Sequence, residues 1–152
     1  MARAPFNVLV YPCIKVGDNE FEYALLKRSD HHFWQGVAGG GEDKETPLEA
    51  AHRESFEEAG IPSESSFIQL DTAEPVPVTV FGDSYLWGDR IYVIPQHSFG
   101  VLLSTKNILL SAEHTEYKWL KYLDARNLLS FDGDRTALWE LDRKVRGLGP
   151  RD

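Results

Sequence analysis

Three glutamates, Glu54, Glu57 and Glu58, fall directly after Arg53 within one short stretch. On a helix turning 100° per residue, their side chains gather within an arc of about 100°. That grouping opposes helix stability. Each like-charge pair at such spacing costs about 0.2–0.5 kcal/mol, and the helix dipole prefers cations at this end by about 0.3–1 kcal/mol per charge. Arg53, one turn before Glu57, offsets part of the cost. A hard divalent cation would turn the repulsion into binding, because Mg²⁺ takes oxygen ligands and works alongside substrate phosphates. The competing reading is a solvated acidic face, the usual state of glutamate runs. Gly39-Gly40-Gly41 stands shortly before these acids. Glycine triplets are common in turns, but one feeding into such a helix can bring backbone N–H or carbonyl groups to the same ligand.

The helix that must carry the acids is well marked. Thr46 is placed to be its N-cap, Pro47 takes the first helical position and Glu49 completes a capping box. Gly60 supplies a left-handed stop and Pro62 prevents resumption. The spacing predicts a helix over 46–59. Leu48, Ala51, Ser55, Phe56 and Ala59, with the stem of His52, form its expected apolar side. Strands are expected at 6–16 and 21–26, joined as a hairpin by the turn cluster Gly17-Asp18-Asn19. A polar loop over 27–32 and a short extended piece over 33–38 follow, and the three glycines are expected to break any regular element. Further strands are expected at 67–70, 75–81, 90–94, 98–103 and 117–120, with turns at Gly82-Asp83 and Pro95-Gln96. Asp124 and Asp134 are read as caps of two final helices, the second running to about Arg146. Strands before and after a central helix, then terminal helices, indicate an α/β sandwich with a mixed sheet.

The stretch from Gly39 to Ile61 resembles the Nudix box, G-x5-E-x7-R-E-U-x-E-E-x-G-U, where U is a bulky aliphatic residue. Gly39, Glu45, Arg53, Glu54, Glu57, Glu58, Gly60 and Ile61 are all in register. Ser55 departs from the pattern where an aliphatic packs under the helix, which weakens packing rather than chemistry. Lys44, where many members carry glycine, is a milder departure. Phe33-Trp34-Gln35, Glu113-His114, Tyr117-Lys118-Trp119-Leu120, Arg28, Asp30 and Asp134-Arg135 with Ala137 are similar to the bacterial dATP pyrophosphohydrolase (dihydroneopterin triphosphate pyrophosphatase) branch. Diadenosine tetraphosphate hydrolases share the Glu-His and Trp-Leu features.

The resemblance implies a Nudix-type α/β/α sandwich and a metal-dependent pyrophosphohydrolase that cleaves a nucleoside or pterin triphosphate to a monophosphate and pyrophosphate. A dinucleoside polyphosphate hydrolase and a non-catalytic nucleotide sensor are the alternatives, the latter opposed by retention of the box glutamates. It further implies that Glu54, Glu57 and Glu58, with the Gly39 carbonyl, hold Mg²⁺ or Mn²⁺. Arg53 would brace the carboxylates through Glu45 or Glu57. A loop acid, Glu113 or alternatively Glu116, would serve as metal ligand or general base, with His114 as a neighbour. Arg28 is the candidate phosphate contact, Trp34 a ring that stacks on a base or pterin or else a core residue, and Gln35 a reader of a ring edge or a strand cap.

Composition narrows the partners. The chain has 152 residues, a length suited to one domain spanning 1–152. Its 16 basic residues against 24 acidic ones give a net charge of -8, which disfavours polymeric nucleic acid and anionic membranes as partners. The apolar run after Arg3 is interrupted by Pro12 and Lys15 and reads as a strand rather than a secretory signal. No run approaches the roughly 20 apolar residues of a membrane helix. The single cysteine, Cys13, excludes an intrachain disulfide and a cysteine-based zinc site, and a cytoplasmic setting is expected. Oligomeric state is left open.

Overall fold

The computed structural model describes residues 3–30 and 32–152. His31, within the expected loop 27–32, lies outside the described residues. The described residues form a seven-stranded mixed sheet between helical layers, an α/β/α sandwich. Strand β1 (Arg3–Gly17) is the spine. One edge of β1 runs parallel to β6 (Val93–Leu103), from Asn7 opposite Gln96 to Ile14 opposite Leu103. Its other edge is shared. Cys13 to Gly17 pairs antiparallel with β2 (Glu20–Arg28), whereas Arg3 to Val10 pairs antiparallel with β4 (Val37–Glu42). Strand β3 (Trp34–Gln35) pairs with β2. Residues 34–42 therefore enter the fork where β1 and β2 part. Gly36 sits at the fork because a β-carbon there would come within 2.5 Å of the Val10 carbonyl oxygen. Strand β5 (Ser66–Pro77) closes the sheet beyond β6, and β7 (His114–Leu120) pairs with the far edge of β2.

Alternation along β1 divides the core. Val8 and Val10 face helix α1 (Pro47–Ala59) with Ala50, Ala51 and Ala59, whereas Leu9, Tyr11 and Cys13 face helices α2 (Tyr122–Leu128) and α3 (Asp132–Val145). Helix α1 starts and stops as expected. Thr46 and Glu49 make both hydrogen bonds of the capping box, Pro47 opens the helix and Gly60 takes the left-handed conformation at φ 69°. Among the described residues, no helix is long and apolar enough to cross a membrane.

Several expectations are corrected. The three glycines do not interrupt regular structure; all lie in β4. The segments 67–70 and 75–77 are one strand, and residues 78–80 form a 3₁₀ turn instead of continuing it. Residues 90–92 are not strand, and Pro95-Gln96 is not a turn but part of β6. Pro95 is tolerated because pairing with β1 begins only at Gln96. Asp124 and Asp134 are not caps. The N-cap positions are Lys121 and Phe131, and both acids lie in the first turns of their helices. The α1 faces also differ from expectation. Leu48 and Phe56 are exposed, Phe56 by 62%, while Glu54 and Glu58 are buried with Ala50, Ala51, Ser55 and Ala59. The acids line the seam between helix and sheet, not the surface opposite it.

Candidate active site

Strand β4 and helix α1 meet along that seam, and glycine is required there for space. A β-carbon on Gly39 would collide with the Glu54 carboxyl group, and one on Gly40 with the Arg3 guanidinium. The glycine backbone thus lies directly against a buried carboxyl on one face and the half-buried Arg3 on the other.

Arg53 is the hub of the α1 face. Its Nε and Nη2 donate to the two carboxylate oxygens of Glu45 at 2.7 and 2.9 Å, and Nη2 also donates to the Gly40 carbonyl at 2.7 Å. Its Nη1 donates to Glu54 Oε1 at 2.9 Å and to Glu57 Oε2 at 3.3 Å. Glu45 in turn accepts from the Glu42 amide at 2.8 Å, which fixes the turn before the helix. The fork of Glu45 holds the Arg53 guanidinium charged, and Arg53 lowers the Glu45 pKa. Glu54 differs. Burial pushes its carboxyl up to about 7, a rise that Arg53 opposes and Glu57 and Glu58 reinforce. One guanidinium serving this many acids leaves Glu54 short of positive charge.

Glu57 points outward, with 52% of its side chain exposed. Glu58 is 7% exposed and points toward the segment before β7. There Ser111 Oγ donates to Glu58 Oε2 at 2.5 Å, and His114 Nδ1 lies 3.3 Å from the same oxygen. The His114 ring is buried, and neither nitrogen makes a hydrogen bond. Burial is the main cause that lowers its pKa, with nearby Arg28 adding to the effect. Glu113, next in the chain, is exposed, and its carbonyl accepts from the amide and the hydroxyl of Ser29, both at 3.0 Å. Glu116 is turned elsewhere. It lies 3.8 Å from Lys27, whose ammonium stands over the Trp34 ring.

The remaining expected contacts are distributed around this centre. Arg28 carries the influence of Glu113 and Glu58, but its Nε and Nη2 are committed to Asp30 at 2.8 and 2.7 Å. Trp34 packs against the α2/α3 core layer with Lys27 and Lys118 over its ring at 6.0 and 5.1 Å, so it is not an open stacking face. Gln35 is buried with an unpartnered Nε2. Among the described residues, no three acidic, histidine or cysteine side chains are disposed to hold one ion together; Arg53 draws Glu54 and Glu57 to itself.

Two contributors escaped the sequence reading. Arg3 donates to the Ala4 and Phe6 carbonyls at 2.6 and 2.7 Å and lies over the Phe81 and Trp87 rings. Its place beside the site is not marked locally, because Gly40, Phe81 and Trp87 come from distant parts of the chain. Ser111 was not singled out; its nearness in sequence to Glu113 was the available signal.

The NUDIX domain family pattern matches residues 8–139. The dihydroneopterin triphosphate diphosphatase of Haemophilus influenzae is 29% identical over 134 residues, covering 87% of this chain and 85% of the relative. A structure described as a NUDIX hydrolase from Listeria monocytogenes superposes with a TM-score of 0.84 at 36% identity, covering 95% of this chain and 96% of that one. A Caenorhabditis elegans Ap4A hydrolase shares the fold, with a TM-score of 0.71 at 22% identity over 95% of this chain and all of the other.

Proposed function

The chain belongs to the Nudix family of hydrolases, and on that premise we propose that it is a divalent-metal-dependent pyrophosphohydrolase of nucleoside or pterin triphosphates. It cleaves between the α and β phosphorus to release a monophosphate and pyrophosphate. The observation that carries this reading is the Arg53 hub, which gathers Glu45, Glu54, Glu57 and the Gly40 carbonyl where the glycine strand meets the helix. The diphosphatase name of the Haemophilus relative supports the substrate class.

The donor chemistry, all oxygen, suits a hard cation, which would have to draw Glu54 and Glu57 from Arg53. Glu54, Glu57 and Glu58 are oxygen donors, as is the Gly39 carbonyl. Glu54 is buried against Gly39, and burial, with Glu57 and Glu58 adding to it, raises its pKa despite Arg53. Bound Mg²⁺ or Mn²⁺ supplies neutralisation of the charge that builds on the phosphate oxygens. Arg53 keeps the carboxylates oriented through its fork with Glu45. Glu113 is the loop acid in preference to Glu116, since Glu116 is drawn to Lys27 while the Glu113 backbone adjoins the group that holds Glu58. Its carboxylate takes a proton from the attacking water as the new P–O bond forms and the bridging P–O bond breaks toward pyrophosphate. Gln35 Nε2 is a free donor for a ring acceptor, and Arg28 meets a phosphate through exchange with Asp30.

The test compares kcat/KM for dATP, dihydroneopterin triphosphate and diadenosine tetraphosphate in one Mg²⁺ buffer. Preference for a triphosphate, abolished by EDTA, is expected. A tenfold preference for the dinucleotide, about 1.4 kcal/mol of transition-state discrimination, overturns the substrate class. Undiminished turnover in EDTA overturns the metal requirement, and no turnover of any substrate leaves a nucleotide sensor.

A further inference from the structure

Glu58 and the loop acid Glu113 belong to different elements, and one hydroxyl joins them. The Glu113 amide donates to Ser111 Oγ at 3.3 Å, and Ser111 Oγ lies 2.5 Å from Glu58 Oε2. A hydroxyl has one proton. Because the amide can only donate, it takes a lone pair of Oγ, and the hydroxyl proton is directed to the carboxylate. The order of donors is therefore settled: Glu113 N–H to Ser111 O–H to Glu58.

The backbone around Ser111 is anchored separately. Its amide donates to the Glu58 carbonyl at 3.2 Å, and the Leu109 amide donates to the Ala59 carbonyl at 2.9 Å. These bonds satisfy carbonyls in the last turn of α1, where a helix has no partners of its own. The loop is thus seated on the helix end without the Ser111 side chain. His114 does not duplicate the hydroxyl, since its Nδ1 approaches the same oxygen without forming a hydrogen bond. Among the described residues, Ser111 is the hydrogen-bond donor to the Glu58 carboxylate.

The geometry points to Ser111 as a positioning residue: its hydroxyl fixes one oxygen of Glu58, turns the other toward the cation, and ties the loop bearing Glu113 to that same carboxylate. This rests on the proposed metal site. Groups that orient metal ligands typically alter affinity or activity by about 10–100-fold when removed.

The test uses the full chain and reads Mn²⁺ binding by calorimetry without substrate, together with kcat, KM and Tm. Ser111→Ala is expected to weaken Mn²⁺ binding by about tenfold and to lower kcat more than it raises KM, with Tm nearly unchanged. Ser111→Thr, which keeps the hydroxyl, should stay within about threefold of the original protein. Ser111→Cys, similar in size but a weak donor, should follow alanine, which separates lost orientation from lost volume. Mn²⁺ affinity and kcat within twofold of the original in the Ala and Cys variants overturns the positioning role, provided Glu58→Gln abolishes binding. Failure of the original protein to bind Mn²⁺, or intact binding in Glu58→Gln, overturns the metal site itself and this role with it. A Tm loss in Ala and Cys that accounts for their lost binding, without rescue by Thr, assigns Ser111 to structure and overturns the proposal.

Discussion

Buried acids lie on both faces of the sheet, and the two faces neutralise them differently. Under α3, Asp134 is hydrogen-bonded to Glu74, and a relay of donors leads to the same pair. Arg3 Nη2 donates to Asn7 Oδ1, Asn7 Nδ2 to Gln96 Oε1, and Gln96 Nε2 to Glu74 Oε1. Arginine cannot accept, so the relay runs one way and ends on a Glu74 oxygen that accepts. Burial, and then the hydrogen bond to Glu74, hold the Asp134 pKa above the usual carboxylate range, so this pair is neutralised by a shared proton rather than by a cation. On the same face, Glu140 accepts from the Asp71 and Thr72 amides and pairs with Lys144 at 2.8 Å, and Asp142 accepts from Tyr23 at 2.6 Å. These acids are saturated by the protein. Under α1, one guanidinium is divided among Glu45, Glu54 and Glu57, and Glu58 relies on one hydroxyl. Saturated acids hold elements together, whereas the undersupplied acids of the β4–α1 seam are what the proposed function assigns to an external cation.

The contrast can be broken most directly at Glu57. Glu57→Gln should lower kcat on the order of 10³-fold, about 4 kcal/mol, while Tm holds or rises slightly because a like-charge repulsion of about 0.2–0.5 kcal/mol is removed. Activity near that of the original would remove Glu57 from the chemistry and leave it a solvated side chain. Arg53→Ala tests the hub itself. Glu45 and Glu54 would lose their counter-charge, and urea unfolding should show a loss of roughly 2–3 kcal/mol, a buried-pair cost reduced for partial exposure.

The α3 face is sharpened by Asp134. Asp134→Ala strands the Glu74 carboxylate and should cost about 1–3 kcal/mol, whereas Asp134→Asn keeps a donor and should cost much less. Their pH dependence carries a sign. A raised folded-state pKa contributes stability that is full below the unfolded value of about 4 and is lost as pH rises through the folded value. The original protein should therefore lose this contribution on going from acid toward alkaline pH, and Asp134→Asn should not; identical pH slopes would place no proton on Asp134. The smallest effect concerns Ser55, fully buried with an unpartnered hydroxyl. Ser55→Ala should stabilise by about 1 kcal/mol in the same unfolding measurement.

Helix α1 was legible because its signals are local: Thr46, Pro47, Glu49 and Gly60 act on their own turns. The register of Arg53, Glu54, Glu57 and Glu58 was legible for the same reason, being spacing along one helix. The glycines of β4 were misread because their cause is not local. They leave room for Glu54, for Arg3 and, at Gly41, for the Phe6 ring, all brought from other elements. The faces of α1 were misassigned likewise, since hydrophobicity places Phe56 inward whereas the seam with β4 places Glu54 and Glu58 there.

Residue type and short spacing by themselves determined the α/β class, the helix limits and the acids that could do chemistry, since those follow from backbone preferences and side-chain charge within a few residues. Only the tertiary structure decided which acids are saturated. It set Arg53 against Glu45 rather than Glu57 alone, brought Ser111 to Glu58, and closed Glu74 on Asp134. Those choices depend on which partners the fold brings within reach, two of them far along the chain, and a hydrogen bond acts over about 3 Å of space irrespective of distance in sequence.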